Sequence, residues 1–187
     1  MTQFNSHGPA RPDGLREVHP GVFYTDEAFV LADSGLTAFL KQQARSTPLK
    51  RARLCAHPAP EADQHDMVIA SHRDTYVTPH RHMSKSESFL IVEGEADILL
   101  FSDDGTLTDV IAMSHAGSGL PFYYRMPQGQ YHSLRIRSEV LVFVEASKGP
   151  FRKADMEDAP FAPASLEAPA GRAWIAAAIA AFGTERA

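Results

Sequence analysis

The chain has 187 residues, of which 44% are hydrophobic and 22% charged, the composition of an ordinary globular protein. Its 18 basic and 23 acidic side chains give a formal net charge of −5, and a mildly acidic chain lacks the electrostatic footprint of a nucleic-acid-binding protein. No apolar run approaches the roughly 20 residues that cross a bilayer, and the single cysteine, Cys55, excludes an internal disulfide. We therefore expect a cytoplasmic protein of one domain, with neither nucleic acid nor a membrane as a partner.

The first third of the chain is predicted to hold one helix. Glycine and proline punctuate residues 1–20, which indicates a flexible segment. Ser34 can cap a helix over residues 34–46, which carries an apolar stripe and is ended by Pro48. Residues 51–57 can then form a first strand.

From Asp66 to Ala146 the pattern changes to short strands separated by turns. The predicted strands cover residues 67–71, 75–82, 87–92, 96–101, 107–113, 122–126, 131–137 and 140–145. Many short strands at regular spacing are typical of a β-sandwich or β-barrel. A tail over residues 149–169 should wrap this barrel without regular structure, and residues 172–182 should form a terminal helix. We divide the chain into a flexible segment 1–20, a barrel domain with its leading helix 21–165, and a helical extension 166–187.

Four residues of this region form a pattern that carries chemistry. His80 and His82 lie two apart on a predicted strand, so both imidazoles point to one face. Glu87 has an odd spacing from His82, and a turn at residues 84–86 would place it at the start of the next strand, beside the histidine pair. His132 shares one face of its strand with Leu134 and Ile136, whereas Ser133, Arg135 and Arg137 lie on the other, so the histidine is on the apolar, inward face.

Three neutral imidazoles and one carboxylate that converge inside a barrel make a site for a first-row transition metal. A carboxylate without a partner would be costly in an apolar interior, and a divalent ion offsets that cost. A lone His-x-His pair is more often a solvated strand, but the joint pattern, with Gly94, Pro127 and Gly129 at turns, is more specific. We expect one divalent ion (Zn, Fe, Mn or Ni) and leave its identity open.

These segments resemble the two conserved motifs of the cupin superfamily, in which a His-x-His pair, a Glu and a later His bind the metal. The chain from about residue 39 to residue 165 is also similar to the WbuC-type cupin metalloproteins. The segments that carry this second likeness are Arg53-Leu54-x-x-His57, Pro79-His80-Arg81-His82, Lys85-Ser86-Glu87-Ser88-Phe89, Glu93-Gly94, Phe101-x-x-x-Gly105, Tyr124-Arg125, Glu145 and Gly149-Pro150-Phe151. The resemblance implies an all-β cupin double-stranded β-helix, a jelly-roll barrel with an N-terminal and a C-terminal helix. It also implies His80, His82, Glu87 and His132 as metal ligands, and a link to surface polysaccharide.

Other polar residues near these motifs are candidates for binding substrate. Arg125 and Lys85 lie beside the turns that flank the ligands, where they can meet an anion at the barrel mouth; the alternative is surface salt bridges with carboxylates such as Glu93 or Glu95. Tyr76, Tyr124 and Tyr131 can each supply a pocket hydroxyl group or pack in the barrel wall. The resemblance includes His57 as a pocket group. We expect the two histidines His65 and His115 to lie at the surface or in loops.

Three functions remain open at this point. The first is a metalloenzyme that acts on a small polar molecule, a sugar or sugar-nucleotide linked to surface polysaccharide metabolism. The second is an Fe(II)-dependent dioxygenase, and the third is a non-catalytic, metal-containing sugar-binding module. The run Phe89–Val92 is apolar on both faces, so its outer face needs a cover: a neighbouring strand, the C-terminal helix or, in a homodimer, a second subunit.

Overall fold

A computed structural model describes residues 9–185, over which twelve strands and two α helices are defined. The strands are β1 Leu15–His19, β2 Val22–Thr25, β3 Arg51–Cys55, β4 Gln64–His72, β5 His80–His82, β6 Glu87–Glu93, β7 Glu95–Phe101, β8 Leu107–Ser114, β9 Tyr123–Met126, β10 Tyr131–Ile136, β11 Val140–Lys148 and β12 Met156–Asp158, and the helices are α1 Ser34–Ser46 and α2 Ala168–Glu185. No helix among these residues is long and apolar enough to span a membrane.

The eight central strands, β4 to β11, pair as one long hairpin that has been rolled up. β4 pairs with β11, β5 with β10, β6 with β9 and β7 with β8, all antiparallel, so the tip of the hairpin lies between β7 and β8. Further pairs of β11 with β6 and of β10 with β7 roll the hairpin into two facing sheets. The larger sheet has the order β1-β2-β3-β4-β11-β6-β9 and the smaller one β12-β5-β10-β7-β8. This strand order is that of a jelly roll, and it confirms the predicted double-stranded β-helix.

The core lies between the two sheets because the strands alternate in polarity. Phe89 and Ile91 of β6 are buried on the inner face, whereas Leu90 between them is exposed. The ring of Phe89 stacks on Phe143 of β11, with ring centroids 4.2 Å apart, and on Tyr124 of β9, with centroids 5.0 Å apart. Aromatic pairs at such distances stabilise adjacent strands beyond their buried area. The inner face of the larger sheet is therefore fixed next to Glu87, which begins β6.

The helix α1 covers the outer face of the larger sheet and has the predicted bounds. Its N-cap is Asp33 and not Ser34, because the Asp33 carboxylate accepts a hydrogen bond from the backbone N–H of Leu36 at 2.9 Å. Within the segment 1–20 that was predicted to be flexible, the structure forms β1, which pairs with β2 as an edge hairpin. Residues 1–8 of that predicted segment lie outside the described residues. The division of the chain at residues 20 and 165 stays a prediction.

The helix α2 covers the outer face of the smaller sheet. It begins four residues before the predicted start, and Trp174 stacks on Phe101 of β7 with ring centroids 5.6 Å apart. The sequence suggested that the tail before α2 lacks regular structure. This is wrong at β12, which pairs with β5. The strand predicted over residues 75–82 is reduced to β5.

The outer face of β6 stays exposed. Leu90 and Val92 are 37% and 41% exposed, and Tyr123, opposite Leu90 on β9, is 50% exposed. Helix α2 packs on the smaller sheet, so it does not cover the outer face of β6, which was one of the three alternatives. The homodimer stays a prediction.

Candidate metal centre

The four predicted ligands come from three strands and both sheets. His80 and His82 lie on β5 and His132 on β10, in the smaller sheet, where His132 is the direct cross-strand partner of His80. Glu87 is the first residue of β6, in the larger sheet, because the chain turns between His82 and Glu87 as predicted. The N–H of Gly129 donates to the carbonyl oxygen of His82 at 2.8 Å and joins the two turns that carry the ligands. The rolled hairpin thus brings the four side chains together between the sheets.

One potential donor atom from each of the four side chains lies within 4.8 Å of all the others. The Glu87 carboxylate is central, with Oε2 3.0 Å from His82 Nε2 and Oε1 3.1 Å from His132 Nε2. Two ligands of one ion lie at most about 4.4 Å apart, twice a bond of about 2.2 Å, so small side-chain movements bring all four to bonding distance. Glu87 and His132 are buried, and His80 and His82 are partly buried.

Backbone carbonyl groups fix the orientation of two imidazole rings. Nδ1 of His80 lies 2.9 Å from the carbonyl oxygen of Thr78, and Nδ1 of His132 lies 2.9 Å from that of Gln130. A carbonyl oxygen only accepts hydrogen bonds, so each Nδ1 carries the proton and each neutral ring keeps a lone pair on Nε2. Metal-binding histidines in proteins are commonly oriented in this way.

The Nε2 atom of His132 is buried and forms no hydrogen bond among the described residues, although a carboxylate oxygen of Glu87 is 3.1 Å away. A lone pair that faces a carboxylate oxygen is repelled unless a cation lies between them. Nδ1 of His82 is also buried without a partner. A proton can satisfy the contact between His132 and Glu87, but a divalent ion can bind one donor atom of each of the four side chains.

The ionisation of the group also suits a metal. Burial and the neighbouring His132 lower the pKa of His80 to about 4, which leaves a neutral imidazole at pH 7. Burial would raise the pKa of Glu87, but His132 and His82 outweigh it and hold the pKa well below its usual range. Burial would lower the pKa of His132, but the Glu87 carboxylate outweighs it and raises that pKa, so in the metal-free protein a proton on Nε2 is favoured at the place that the ion would occupy. An ionised carboxylate among imidazoles is the donor set that a first-row divalent metal prefers, so the residues fit the ion.

Two further groups lie beside the ligands: Tyr124, which the sequence offered only as a pocket hydroxyl group or a barrel-wall residue, and Glu145, to which it assigned no role. The hydroxyl group of Tyr124 donates a hydrogen bond to Glu87 Oε1 at 3.2 Å. Glu145 of β11 lies diagonally across from Glu87 on the same inner face, since its direct partner is Phe89. Burial and the charge of Glu87 raise the pKa of Glu145 to about 7. Strand alternation puts Tyr124 inward with Met126, and that signal could have identified it.

The two predicted substrate-binding cations, Lys85 and Arg125, share a cavity of about 310 Å³ near the turns that flank the ligands. We call it the basic cavity. The lining residues are Ser84, Lys85, Ser86, Arg125, Pro127, Gln128 and Lys148. Lys85 donates a hydrogen bond to Ser147 Oγ at 3.3 Å. The sequence did not point to Lys148, which is 63 positions beyond Lys85.

The salt bridges considered as the alternative for these cations do not form. Glu93 is paired with Lys41 at 2.6 Å, and Glu95 with Arg137 at 3.6 Å. In the part of the chain that the structure describes, neither Lys85 nor Arg125 forms an ion pair with a carboxylate. The basic cavity is therefore free to accept an anion. Arg125 has the outward parity of β9, since Tyr124 and Met126 on either side of it face the interior.

The structure places the other predicted pocket residues away from this cavity. Tyr76 lies under α2, where its hydroxyl group donates to the carbonyl oxygen of Pro163 at 2.8 Å. His57 stacks on His65, with ring centroids 4.0 Å apart, and burial lowers its pKa. The expectation that His65 lies at the surface is wrong, because it is only 5% exposed. His115 is exposed, as expected.

A second cavity, of about 270 Å³, lies where β9, the edge of the larger sheet, faces β7 and β8 of the smaller sheet. Its lining residues are Ile98, Leu100, Ile111, Met113, Pro121, Tyr123, Tyr124, Arg125, Met126, Pro127 and Gln130. Most of these side chains are apolar, and we call this space the apolar cavity. The cavity shares Arg125 and Pro127 with the basic cavity, so the two are neighbours.

A rolled eight-stranded hairpin with a His-x-His pair and a later His on one sheet, and a Glu on the other, defines a cupin fold with a candidate metal centre. A family model described as a domain of unknown function (DUF6016) matches residues 32–113, a region that includes His80, His82 and Glu87 but not His132. No curated protein matches the chain.

Solved structures with partial likeness include three proteins. Procruciferin, an 11S globulin from Brassica napus, is 16% identical over 51% of this chain and 22% of that chain, with a TM-score of 0.42. A variant of oxalate decarboxylase OxdC from Bacillus subtilis is 14% identical over 58% of this chain and 27% of that chain, with a TM-score of 0.45. An uncharacterized double-stranded β-helix protein from Klebsiella pneumoniae is 16% identical over 58% of this chain and 79% of that chain, with a TM-score of 0.45. The match spans about a quarter of the length of the first two proteins. The fold assignment therefore rests on the strand order of this chain itself.

Proposed function

We propose that this chain binds one divalent transition-metal ion through His80, His82, Glu87 and His132, and that it acts as a metalloenzyme on a small anionic molecule. The observation that carries the proposal is the convergence of four donor atoms within 4.8 Å, with the buried Nε2 of His132 lacking a hydrogen bond. When bound, the ion would supply Lewis-acid chemistry, polarising an oxygen atom of the substrate.

The surrounding residues have separate tasks in this proposal. The carbonyl groups of Thr78 and Gln130 orient His80 and His132, and the hydroxyl group of Tyr124 holds one oxygen of Glu87. Such second partners set the direction of the ligands before an ion arrives. Four protein ligands leave one or two positions for substrate on an ion that prefers five or six.

The basic cavity supports an anionic substrate. Arg125, Lys85 and Lys148 line this cavity beside the turns that flank the ligands, and none of them is paired with a carboxylate among the described residues. Three unpaired cations attract an anion to a chain of net charge −5. A sugar phosphate or sugar-nucleotide of surface polysaccharide metabolism, as the WbuC-type resemblance implies, is one such anion. Tyr76 and His57 stay predictions as substrate-binding residues.

The apolar cavity favours a second candidate function, the Fe(II)-dependent dioxygenase. Its wall includes Leu100, the direct partner of His132, and Met126, the direct partner of Glu87. An apolar surface beside three histidines and a glutamate suits an apolar substrate of an iron enzyme. Identification of the bound metal separates this candidate from the first.

Elemental analysis of protein purified without added metal tests the proposal. We expect about one equivalent of a single transition metal in the wild type and little in His132→Ala. His115→Ala is the matched control, since His115 is exposed and lies outside the ligand group, and it should retain the wild-type content. Equal metal content in all three proteins would refute the assignment of the site.

A further inference from the structure

The walls of the apolar cavity come from strands that also carry ligands or pair directly with them. Leu100 of β7 lies opposite His132, and Met126 of β9 lies opposite Glu87. Direct partners in an antiparallel pair point to the same face of the sheet. The cavity surface and the ligands therefore share the barrel interior, and a molecule in the cavity lies beside the candidate metal centre.

Away from Arg125 at its rim, the cavity offers few hydrogen bonds to a ligand. The amide Nε2 of Gln130 donates to the carbonyl oxygens of Phe101 and Tyr131, at 2.9 Å each. The hydroxyl group of Tyr124 is used by Glu87. A ligand hydroxyl group buried here without a partner would lose about tenfold or more in affinity. A sugar ring, which carries several hydroxyl groups, is therefore a poor occupant, so among the small anions of the proposed function this cavity favours one with an apolar body over a sugar phosphate or sugar-nucleotide.

We infer that the molecule that reaches the metal centre is a carboxylate with an apolar body, whose body fills this cavity while its carboxylate lies toward the ligands. The inference rests on the proposed function and narrows its substrate class. A cavity of about 150 Å³ lined by apolar side chains holds benzene. The volume of about 270 Å³ therefore accommodates a substituted aromatic ring or a chain of about six to eight carbons.

The basic cavity fits the entry of such a molecule. Arg125 and Pro127 line both cavities, so a cationic rim lies directly beside the apolar space. Pro121 and Tyr123 of the lining are exposed, which leaves the cavity open to solvent on the β9 side. The cationic rim attracts such an acid from solvent, and the apolar cavity then holds its body while the carboxylate lies toward the ligands.

Calorimetric titration of the metal-loaded protein with butyrate, hexanoate and octanoate tests the inference, with gluconate as a hydrophilic carboxylate of similar length. Each buried methylene should tighten binding about threefold to fourfold until the cavity is full. Gluconate should bind at least about tenfold more weakly than hexanoate.

Two matched variants locate the effect. Ile111→Thr places a hydroxyl group in the cavity wall and should weaken octanoate several-fold. Val92→Thr makes a similar change on the outer face of β6, where the side chain is 41% exposed, and should leave octanoate binding unchanged. An equal effect of the two variants would mean that octanoate binds elsewhere, and would overturn the inference.

Affinity that does not depend on chain length, or gluconate that binds as tightly as octanoate, would also overturn it. The metal content of the same samples reports separately on the proposed function. If the protein holds no metal, the proposed function fails, and the chain-length series in the metal-free protein then decides about the cavity alone. If the affinity of the metal-free protein still increases with the chain length of the acid, the apolar occupant is supported. If the affinity does not depend on chain length, the apolar occupant is refuted.

Discussion

Replacement of His82 by alanine should separate metal binding from folding. His82 supplies one of the four candidate ligands and a contact of 3.0 Å to Glu87. Its loss should lower metal occupancy sharply, because three remaining ligands hold an ion more weakly. The fold should survive, since a chain of 187 residues has enough length to bury its own core and the described residues form three apolar clusters.

The expected magnitudes follow from binding to the folded state. An ion present at 100 times its dissociation constant stabilises the native protein by about 2.7 kcal/mol. For a domain of this size each kcal/mol raises the melting temperature by about 2–4 °C, so metal should raise Tm by about 5–11 °C in the wild type. The metal-free variant should lose about 1–3 kcal/mol relative to metal-free wild type, because the Glu87 carboxylate loses a hydrogen-bond partner.

Thermal melts followed by circular dichroism, in excess metal and in chelator, measure both effects. The wild type should show the full difference between the two conditions and His82→Ala little or none. Metal-free wild type that is already unfolded at 25 °C would refute the reasoning, because the ion would then be the main structural support. An equal Tm shift by metal in both proteins would show that the ion binds without His82.

Three other changes give separate tests. Asp33→Ala removes the side-chain cap of α1 and should cost about 1 kcal/mol in urea unfolding, while metal content stays unchanged. Burial raises the pKa of Glu145 to about 7 from an ordinary value near 4.5. In the metal-free protein, the stability that the protonated Glu145 side chain contributes is therefore fully present below about pH 4.5 and is lost as the pH rises through 7. Glu145→Gln should abolish that loss when urea melts at pH 5 and pH 8 are compared, and an unchanged pH dependence would contradict it. Arg81, between the two ligand histidines, points away from them to Asp103 and Glu157, so Arg81→Ala should retain wild-type metal content by elemental analysis.

The sequence by itself determined the local features of this protein. The spacing of apolar residues and Pro48 predicted the bounds of α1, and strand alternation put His132 on an inward face. The His-x-His pair shares a face for the same reason, since the side-chain period of a strand is two. Periods and ligand chemistry are properties of neighbouring residues, so they can be inferred without the fold.

Only the tertiary structure decided which distant segments meet. Tyr124 donates to Glu87 from 37 positions away, and Lys148 joins Lys85 in the basic cavity from 63 positions away. The covers of the two sheets, with α1 on the larger and α2 on the smaller, and the apolar cavity beside the ligands also depend on how the hairpin rolls up. The alternation of side chains along a strand determines which face of the sheet each side chain occupies. The pairing of strands that are far apart in the sequence determines which other residues lie beside it. That pairing depends on contacts between residues far apart in the sequence, which a local pattern of residues does not specify.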